Sequence, residues 1–465
     1  MKRMTALLLS VLLLLTVLVS CGEATTPSGE SEIPSNEPGS SFEATDSTDS
    51  SEPETEPQTE PEPETKYPTE YVAPEDGSFT ICGIPLSEYS LVLYFPSTSD
   101  YTYMERNQLT RPLKETIGKA TGTELDLKVV KNEKYDTEKW AEHEILFGSN
   151  FNREGMPESD LKKNYYGVTE DGTVYFSSPS PLLYRHLWKL FLEEFFGVPY
   201  DSGEASLGCA IEPCYRELPV LNDALLEKMG YTVVLDETFD GDELNPEIWE
   251  FRKEPGKRRA GYNHPDQVSV KDGCLILTAE YKEDGAFGPA WYTGWVHLKQ
   301  QYCRGYFEAT IRCSERIGRS PADFWSAFWI QGPAPYTPEQ SQAGVGPGGC
   351  EIDVMECWGT DHQSCCLWVS GEEGKGNDLT SEVHEIIGMG NDYSQEFHTY
   401  SIIWDEAYYQ IYIDGILVCY TNVICGTSSV EQEVILSLED PSDIPLEPGT
   451  VRQMMVDSLR IWQKQ

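Results

Sequence analysis

Residues 351–356 constrain this chain most, because they place three carboxylates inside a short apolar run of β-strand character. Burial of these groups without partners would carry a large desolvation cost. In a regular strand side chains alternate faces, so Glu351 and Asp353 point one way and Glu356 points the other. One β-bulge between Asp353 and Glu356 returns Glu356 to the shared face. The resulting line of acids is the arrangement that cleavage of a glycosidic bond by two carboxyl groups requires.

The first residues predict export. A basic start, Met1-Lys2-Arg3, precedes an apolar stretch over residues 6–19, which is typical of a secretory signal and too short for a stable membrane span. Residues 18–21 (Leu-Val-Ser-Cys) resemble the bacterial lipobox, so residues 1–21 are predicted to be a lipoprotein signal peptide with lipidation on Cys21. The alternative is a plain signal peptide with an incidental cysteine. We expect an extracellular protein, anchored to the membrane at the bacterial cell surface.

The composition changes over residues 22–75, where Ser, Thr, Pro and Glu dominate. Such a segment buries too little apolar surface to offset its ordering entropy, so we expect a disordered stalk, with a binding role for its acidic run as the alternative. The whole chain carries a formal net charge of -44, which argues against nucleic acid as a partner. The charge is compatible with a neutral polysaccharide or with solubility alone. We expect a monomer.

Residues 76–222 are predicted to form a small α/β accessory domain. Runs 90–95, 125–130 and 144–147 favour strands, 166–177 favours a hairpin, and 107–121 and 181–196 favour helices. His186 lies in the apolar stripe of the last helix, so a packed histidine is expected there. This region shows no catalytic constellation, and support, spacing and weak sugar binding remain open as its role.

Thirteen cysteines occur in the chain, one of which is Cys21. An exported protein could pair some of them, and the pairs closest in sequence are Cys209 with Cys214 and Cys419 with Cys425. The competing expectation is buried free thiols, because several cysteines lie in apolar, strand-like runs, namely Cys274, Cys313 and Cys366. No paired Cys-x-x-Cys spacing with histidines is present, so a zinc cluster is not expected.

From Tyr231 onward short apolar runs alternate with glycine turns, which indicates a β-sandwich. Over residues 229–465 the motifs and their order resemble glycoside hydrolase family 16, in particular its bacterial laminarinases and lichenases. The motifs that carry the resemblance are 234–241, 270–277, 292–295, 305–312, 325–329, 351–356, 397–404, 412–415 and 456–462. A lone Glu-x-Asp would be weak evidence, whereas this ordered set is specific.

The resemblance implies an all-β jelly-roll sandwich of the concanavalin A-like class, in which the concave sheet forms the substrate cleft. It also implies a retaining mechanism with Glu351 as nucleophile and Glu356 as acid/base. Asp353 would hydrogen-bond the nucleophile and hold the proton distribution of the pair. Neighbouring acids titrate together, so one can stay protonated while the other is ionised.

Several aromatic residues are candidates for sugar stacking, because indole faces pack on the C–H faces of sugar rings. Trp325 and Trp329 are four residues apart and share a face of their strand, with core filling as the competing interpretation. Further candidates for substrate binding are Trp295, Trp358, Trp368 and His398. His398 is as compatible with a structural role as with a catalytic one.

Trp368 stands where many family members carry an inward histidine, and residues 434–439 lack the paired glycines of many β-1,3-glucanases, which leaves the substrate open. No cofactor is expected to be required for catalysis. The resemblance also implies a structural calcium ion, with Glu237, Asp457 and the Gly273 carbonyl as ligands, since calcium favours oxygen donors. Ordinary surface acids are the alternative.

Together these features predict a retaining, endo-acting glycoside hydrolase that cleaves a β-1,3- or mixed-linkage β-glucan at the cell surface. A β-galactanase of the agarose or carrageenan type and a transglycosylase are the alternative enzymes. A non-catalytic surface glycan-binding protein is the alternative from another class.

Overall fold

The computed structural model describes residues 71–95, 109–131, 138–148, 151, 153–158, 160–316, 323–332, 349–357, 359, 362–370, 379–387, 389–422, 426–440 and 448–464. Within 362–370 and throughout 379–387 the description is largely of the backbone. The predicted signal peptide with Cys21 and all but the last residues of the predicted stalk lie outside the described residues. None of the helices in the described part has the length and apolar character that crossing a membrane requires.

Three α-helices are described: α1 (Thr110–Thr121), α2 (Leu183–Phe196) and α3 (Asp223–Lys228). Helix α2 confirms the helix predicted over 181–196, and its buried stripe includes Leu183, Leu187 and Phe191. His186 is buried on this helix, where it stacks on Tyr420 with ring centroids 4.0 Å apart. A packed histidine is therefore confirmed.

The α/β region contains a six-stranded sheet and a three-stranded sheet among its described residues. The six-stranded sheet, in spatial order, consists of β4 (Asp126–Lys131), β3 (Tyr89–Phe95), β5 (His143–Gly148), β7 (Val174–Ser177), β6 (Tyr165–Val168) and β9 (Cys214–Glu217). Its first four strands are parallel, and β6 with β7 forms the predicted antiparallel hairpin. The small sheet consists of β1 (Phe79–Ile81), β2 (Ile84–Pro85) and β8 (Cys209–Ile211).

Two large sheets make up the rest of the described chain. The first, with eleven strands, consists of β10 (Tyr231–Glu237), β12 (Gly256–Arg258), β13 (Gly261–Asn263), β14 (Val268–Lys271), β15 (Cys274–Lys282), β16 (Ala290–Thr293), β18 (Gly305–Arg312), β23 (His398–Trp404), β24 (Tyr409–Ile413), β25 (Ile416–Thr421) and β27 (Val451–Lys464). The second, in spatial order, consists of β11 (Trp249–Phe251), β17 (Trp295–Leu298), β26 (Glu433–Glu439), β19 (Trp325–Gln331), β20 (Glu351–Cys357), β21 (His362–Ser370) and β22 (Leu379–Ile387).

These two sheets form a sandwich around one hydrophobic core. Phe307 and Ile402 from the eleven-stranded sheet and Phe328 and Ile352 from the seven-stranded sheet belong to the same buried cluster. Every strand pair within the seven-stranded sheet is antiparallel, and residues of alternating register face the core. The predicted all-β jelly-roll sandwich, preceded in the chain by an α/β region, is confirmed.

The α/β region packs directly on the eleven-stranded sheet. Tyr306 and Trp462 of that sheet belong to the hydrophobic cluster that also contains Phe196 of α2. The Leu221 N–H donates to the Gly415 carbonyl at 2.8 Å, and a Cβ at residue 415 would lie 2.4 Å from the Leu221 carbonyl oxygen. Gly415 therefore permits this close approach. The described residues form one compact unit, and the predicted domain limits 76–222 and 229–465 stay a prediction.

Ten cysteines are described, all as free thiols. The considered pairing of Cys209 with Cys214 is wrong, because the Cys209 thiol is buried and lies near the Thr80 carbonyl, 3.7 Å away. Cys274 and Cys313 are buried as predicted. Cys425 and the side chain of Cys366 lie outside the described residues.

Candidate active site

Strand β20 carries the three acids and contains the predicted bulge. Phe328 of β19 pairs with Met355, yet the next residue, Trp329, pairs with Asp353, so Val354 is an extra residue in β20. The register to β21 shifts at the same place, between Asp353 and Glu356. The bulge between the two acids is therefore confirmed on both neighbouring strands.

The bulge determines which side chains of β20 face the sandwich core and which face away from it. Val354 and Met355 are adjacent in sequence, and both belong to the sandwich core together with Ile352 and Cys357. The carboxylates of Glu351, Asp353 and Glu356 consequently share the opposite face. We call this side of the seven-stranded sheet the acid face.

The acid face carries a second, smaller apolar cluster. It is built from three tryptophans, an alanine and an isoleucine: Trp295, Trp325, Trp329, Ala327 and Ile435. Trp329 is register partner to Asp353, and Ala327 is register partner to Glu356, so these side chains are neighbours of the acids. Trp325 and Trp329 share a face as predicted, and they lie outside the sandwich core.

Glu351 is held by a polar chain that runs across three strands. The Gln331 side-chain amide donates to Glu351 Oε2 at 2.7 Å, and the Gln331 Oε1 accepts a hydrogen bond from Arg252. Arg252 in turn donates to Glu433 Oε2 at 3.0 Å. The amide donor fixes one oxygen of Glu351 and so orients the carboxylate.

Glu356 has the environment of an acid/base group. Its pKa is raised to about 7, chiefly by burial and also by the negative charges of Glu351 and Glu439, while the Trp325 indole and Arg259 act in the opposite direction. The Trp325 Nε1–H donates to Glu356 Oε1 at 3.1 Å. At neutral pH Glu356 is therefore partly protonated and able to give a proton to a leaving group.

Arginines that the sequence analysis missed cover the tryptophan rings. Arg252 Cζ lies 4.7 Å from the ring centroid of Trp329 and 4.9 Å from that of Trp295. Arg259 Cζ lies 4.5 Å from the ring of Trp325. These distances are in the range of cation–π contacts. The signal for them was the basic run at residues 252–259, which is unusual in so acidic a chain.

A pair of acids at the end of β26 was also missed. Glu439 Oε2 accepts two hydrogen bonds from Arg258, at 2.6 and 3.0 Å. Burial acts to raise the pKa of Glu439, but the positive charges of Arg258 and Arg259 outweigh it, so the pKa is lowered. Asp440 is fully buried, and burial together with the charge of Glu439 raises its pKa well above the usual range. The pKa values of these two neighbouring acids are thus displaced in opposite directions.

Of the remaining predicted substrate residues, His398 is described and is not assembled with these groups. His398 lies on the other sheet, and its Nδ1 forms a hydrogen bond of 2.8 Å with Asp414 in the turn that follows β24. Trp368 is register partner to Glu351 in the backbone, and its side chain lies outside the described part. Trp358 lies outside the described residues altogether. Sugar stacking by the tryptophans stays a prediction.

The predicted calcium ligands include Glu237 at the end of β10 and Asp457 within β27. Both carboxylate oxygens of Glu237 accept hydrogen bonds, from the Phe239 N–H at 2.9 Å and from Trp249 Nε1 at 3.1 Å. Among the described residues no three acidic, histidine or cysteine side chains converge in a way that could hold a metal ion. The side chains present do not form an assembled ligand set, and calcium stays a prediction.

Comparison with known proteins places this geometry in context. Residues 257–423 match the family model described as Glycosyl hydrolases family 16. A Beta-glucanase of Acetivibrio thermocellus is 28% identical over 152 residues, which are 32% of this chain and 38% of that protein. Glucan endo-1,3-beta-glucosidase A1 of Niallia circulans is 22% identical over 206 residues, which are 40% of this chain and 29% of that protein. This chain thus spans well under two thirds of the length of either relative.

Solved structures show a similar partial match. The laminarinase catalytic domain from Thermotoga maritima has a TM-score of 0.41 and 21% sequence identity, covering 50% of this chain and 99% of that one. The structure of LamAcat from Zobellia galactanivorans has a TM-score of 0.41 and 20% identity, covering 51% of this chain and 99% of that one.

Proposed function

Because residues 257–423 belong to glycosyl hydrolases family 16, we propose that this protein cleaves internal β-glycosidic bonds of a polysaccharide with retention of configuration. The observation that carries the proposal is the pairing, on one bulged strand, of two acids in different surroundings. Glu351 is held by an amide donor, and Glu356 has a pKa raised to about 7 by burial and by neighbouring charge. Such a separation of roles is what double displacement by two carboxyl groups requires.

In the proposed reaction the Glu351 carboxylate attacks the anomeric carbon while Glu356 protonates the departing glycosidic oxygen. The bond to the leaving sugar breaks, and a covalent glycosyl ester forms on Glu351. Glu356, now ionised, removes a proton from a water molecule, which attacks the same carbon and releases Glu351. Asp353 lies between the two acids on the same face, where it holds the proton distribution of the pair.

For the substrate we propose a β-1,3- or mixed-linkage β-glucan, in line with the names of the relatives, with a β-galactan of the agarose or carrageenan type as the second candidate. A panel of laminarin, lichenan, agarose, carrageenan and xyloglucan, with sizing and linkage analysis of the products, distinguishes them. Endo-action predicts mixed oligosaccharides. A single short product would contradict it.

Glu351→Gln tests the activity itself. Loss of the nucleophile should lower kcat by at least about 10⁴-fold, because the covalent route is removed, while oligosaccharide binding persists. Glu283→Gln is the matched control, since Glu283 is exposed on the loop after β15. Unchanged turnover in Glu351→Gln would contradict the proposal. Binding by the wild-type protein without new reducing ends would instead favour a glycan-binding protein.

We further propose that the protein acts outside the cell, held at the bacterial surface by lipid on Cys21. The support is the basic start, the apolar stretch and the lipobox-like residues 18–21. The test is incorporation of labelled fatty acid and recovery in the membrane fraction. Cys21→Ser should lose both. Equal membrane recovery of the variant would contradict the anchor.

A further inference from the structure

The basic segment, residues 252–259, is an anomaly in a chain of net charge -44, because five of its eight residues are Lys or Arg and one is acidic. It extends from the end of β11 through β12. A run of charge is ordinarily a solvated surface. Here Arg252 is only 3% exposed, and the arginines contact the tryptophans of the acid face. The segment therefore belongs to the candidate active site.

Two of these arginines have their charge matched by a carboxylate. Arg252 pairs with Glu433 at 3.0 Å, and Arg258 pairs with Glu439 at 2.6 Å. Both pairs join the segment to strand β26. Such hydrogen-bonded pairs fix the position of the segment and leave little charge for a ligand.

Arg259 is different. Its Nε lies 3.9 Å from Glu439 Oε2, an oxygen that already accepts two hydrogen bonds from Arg258. Asp440 beside them is fully buried, and burial together with the charge of Glu439 raises its pKa, which favours its neutral form. Arg258 thus occupies the Glu439 oxygen at hydrogen-bond distance, whereas Arg259 stands farther from it. The side chain of Arg259 is 40% exposed, so its positive charge is accessible to a bound molecule.

The backbone at Arg259 gives a second, independent indication. Its φ of 45° lies in the left-handed region, in the turn between β12 and β13. Glycine adopts this conformation without steric cost, whereas a residue with a Cβ is strained there. Strained non-glycine residues are concentrated at ligand-binding sites, where the side chain has a role that offsets the strain.

The position of Arg259 defines what it would contact. The guanidinium lies over the ring of Trp325, and the indole N–H of Trp325 donates to Glu356. A planar guanidinium on an aromatic face keeps its edge N–H groups for a second partner, and their geometry fits a two-oxygen anion. The sugar unit on the Glu356 side of the scissile bond is thus the one within reach.

We propose that Arg259 binds an anionic substituent, a sulfate ester or a carboxylate, on the sugar next to the cleaved bond, so that the natural substrate is an acidic polysaccharide. This rests on the proposed hydrolase function and narrows its substrate to glucans or galactans that carry such an acidic group. The overall charge of -44 does not oppose it, because charges beyond about 10 Å are screened at physiological salt. The local charge at Arg259 decides the contact.

The test measures binding without turnover, in the Glu351→Gln background. Calorimetric Kd values are compared for laminarin oligosaccharides, the same oligosaccharides sulfated, and the same oligosaccharides oxidised to carboxylates at C6. Agarose and carrageenan fragments provide a galactan pair. Adding Arg259→Gln should weaken binding of the acidic forms by roughly 10-fold or more, the worth of a charged hydrogen bond. Binding of the neutral forms should change by less than about 3-fold.

Lys257→Gln is the matched control from the same turn, because the Lys257 ammonium donates to the Ala260 carbonyl and lies over the ring of Tyr262. It should leave the ratio of acidic to neutral binding unchanged. The sulfated and carboxylated arms reveal which anion is preferred. Equal weakening of neutral and acidic ligands by Arg259→Gln would overturn the proposal, and so would equal effects of the two variants.

Arg259→Gly separates ligand binding from a structural role. Since glycine relieves the strained φ, its melting temperature should equal or exceed that of the parent protein, while the preference for acidic ligands is lost. A lower melting temperature with an intact preference would overturn the proposal. Turnover in the Glu351→Gln parent would refute the hydrolase mechanism instead, and the binding comparison would still stand.

Discussion

Two carboxyl groups of this protein, the fully buried Glu144 in the α/β region and the partly buried Glu356 on the acid face, are in opposite electrostatic conditions. Glu144 is fully buried, accepts hydrogen bonds from two backbone N–H groups, one of them from Ala141 at 2.8 Å, and forms an ion pair with Arg153. Glu356 accepts a hydrogen bond from the Trp325 indole and lies near the negative charges of Glu351 and Glu439. Burial alone therefore does not mark a functional acid. The mismatch between burial and available partners does.

The largest expected contrast is in activity. Glu356→Gln should lower kcat/KM by roughly 10²–10⁴-fold, the usual worth of general acid–base catalysis. The loss should be smaller for aryl glycosides with acidic leaving groups, which need no proton, and azide should restore turnover of the glycosyl ester. Glu144→Gln should leave the activity of the folded enzyme unchanged. Similar activity losses in both variants would erase the distinction between the two sites.

For stability we expect the opposite result, with the larger loss in the Glu144 variant. Glu144→Gln removes the partner of the buried Arg153 and should lower the free energy of unfolding by about 3 kcal/mol or more. The check is urea denaturation at neutral pH, with the exposed Glu283→Gln as control. A loss below about 1 kcal/mol would show that this buried pair is replaceable and would weaken the comparison.

The pH dependence of stability gives a smaller effect with a defined sign. Because the pKa of Glu356 is raised to about 7 in the folded state, the folded protein holds a proton that the unfolded chain releases near pH 4.5. The stabilising contribution is therefore present below pH 4.5 and is lost as the pH rises to about 7. Above that value Glu356→Gln should be more stable than the wild type by roughly 1–3 kcal/mol, measured by urea denaturation at pH 5 and pH 8. A difference independent of pH would contradict the raised pKa.

The smallest predicted effect concerns the donor to Glu356. The kcat/KM of the wild type should decline on the alkaline side with an apparent pKa of about 7. Trp325→Phe removes the indole N–H that stabilises the ionised form of Glu356. The apparent pKa of the alkaline decline should therefore rise by about one pH unit. A downward shift would mean that loss of packing and entry of water outweigh the hydrogen bond. Trp329→Phe is a suitable control, because its N–H donates to Ser437.

The acid strand could be predicted from the sequence, because its pattern of acidic and apolar residues is local. Three acids at positions 351, 353 and 356 among apolar residues fit one strand with one extra residue, and the structure contains that bulge at Val354. The apolar stripe of α2 could be predicted for the same reason, because helical periodicity is visible within a few turns. The surroundings of His398 could not be predicted in this way, because its hydrogen bond to Asp414 and its place on the other sheet depend on strand pairing.

By itself the amino-acid sequence determined the alternation of strands, the bulge and the chemical types on the acid face. Only the tertiary structure decided the charge balance around them. Glu433, Glu439 and Arg259 lie far from the acid strand in sequence, yet they contribute to the hydrogen-bond chain that ends at Glu351 and to the pKa of Glu356. The physical reason is that side-chain periodicity is a property of neighbouring residues, whereas desolvation and Coulomb energies depend on distances in space.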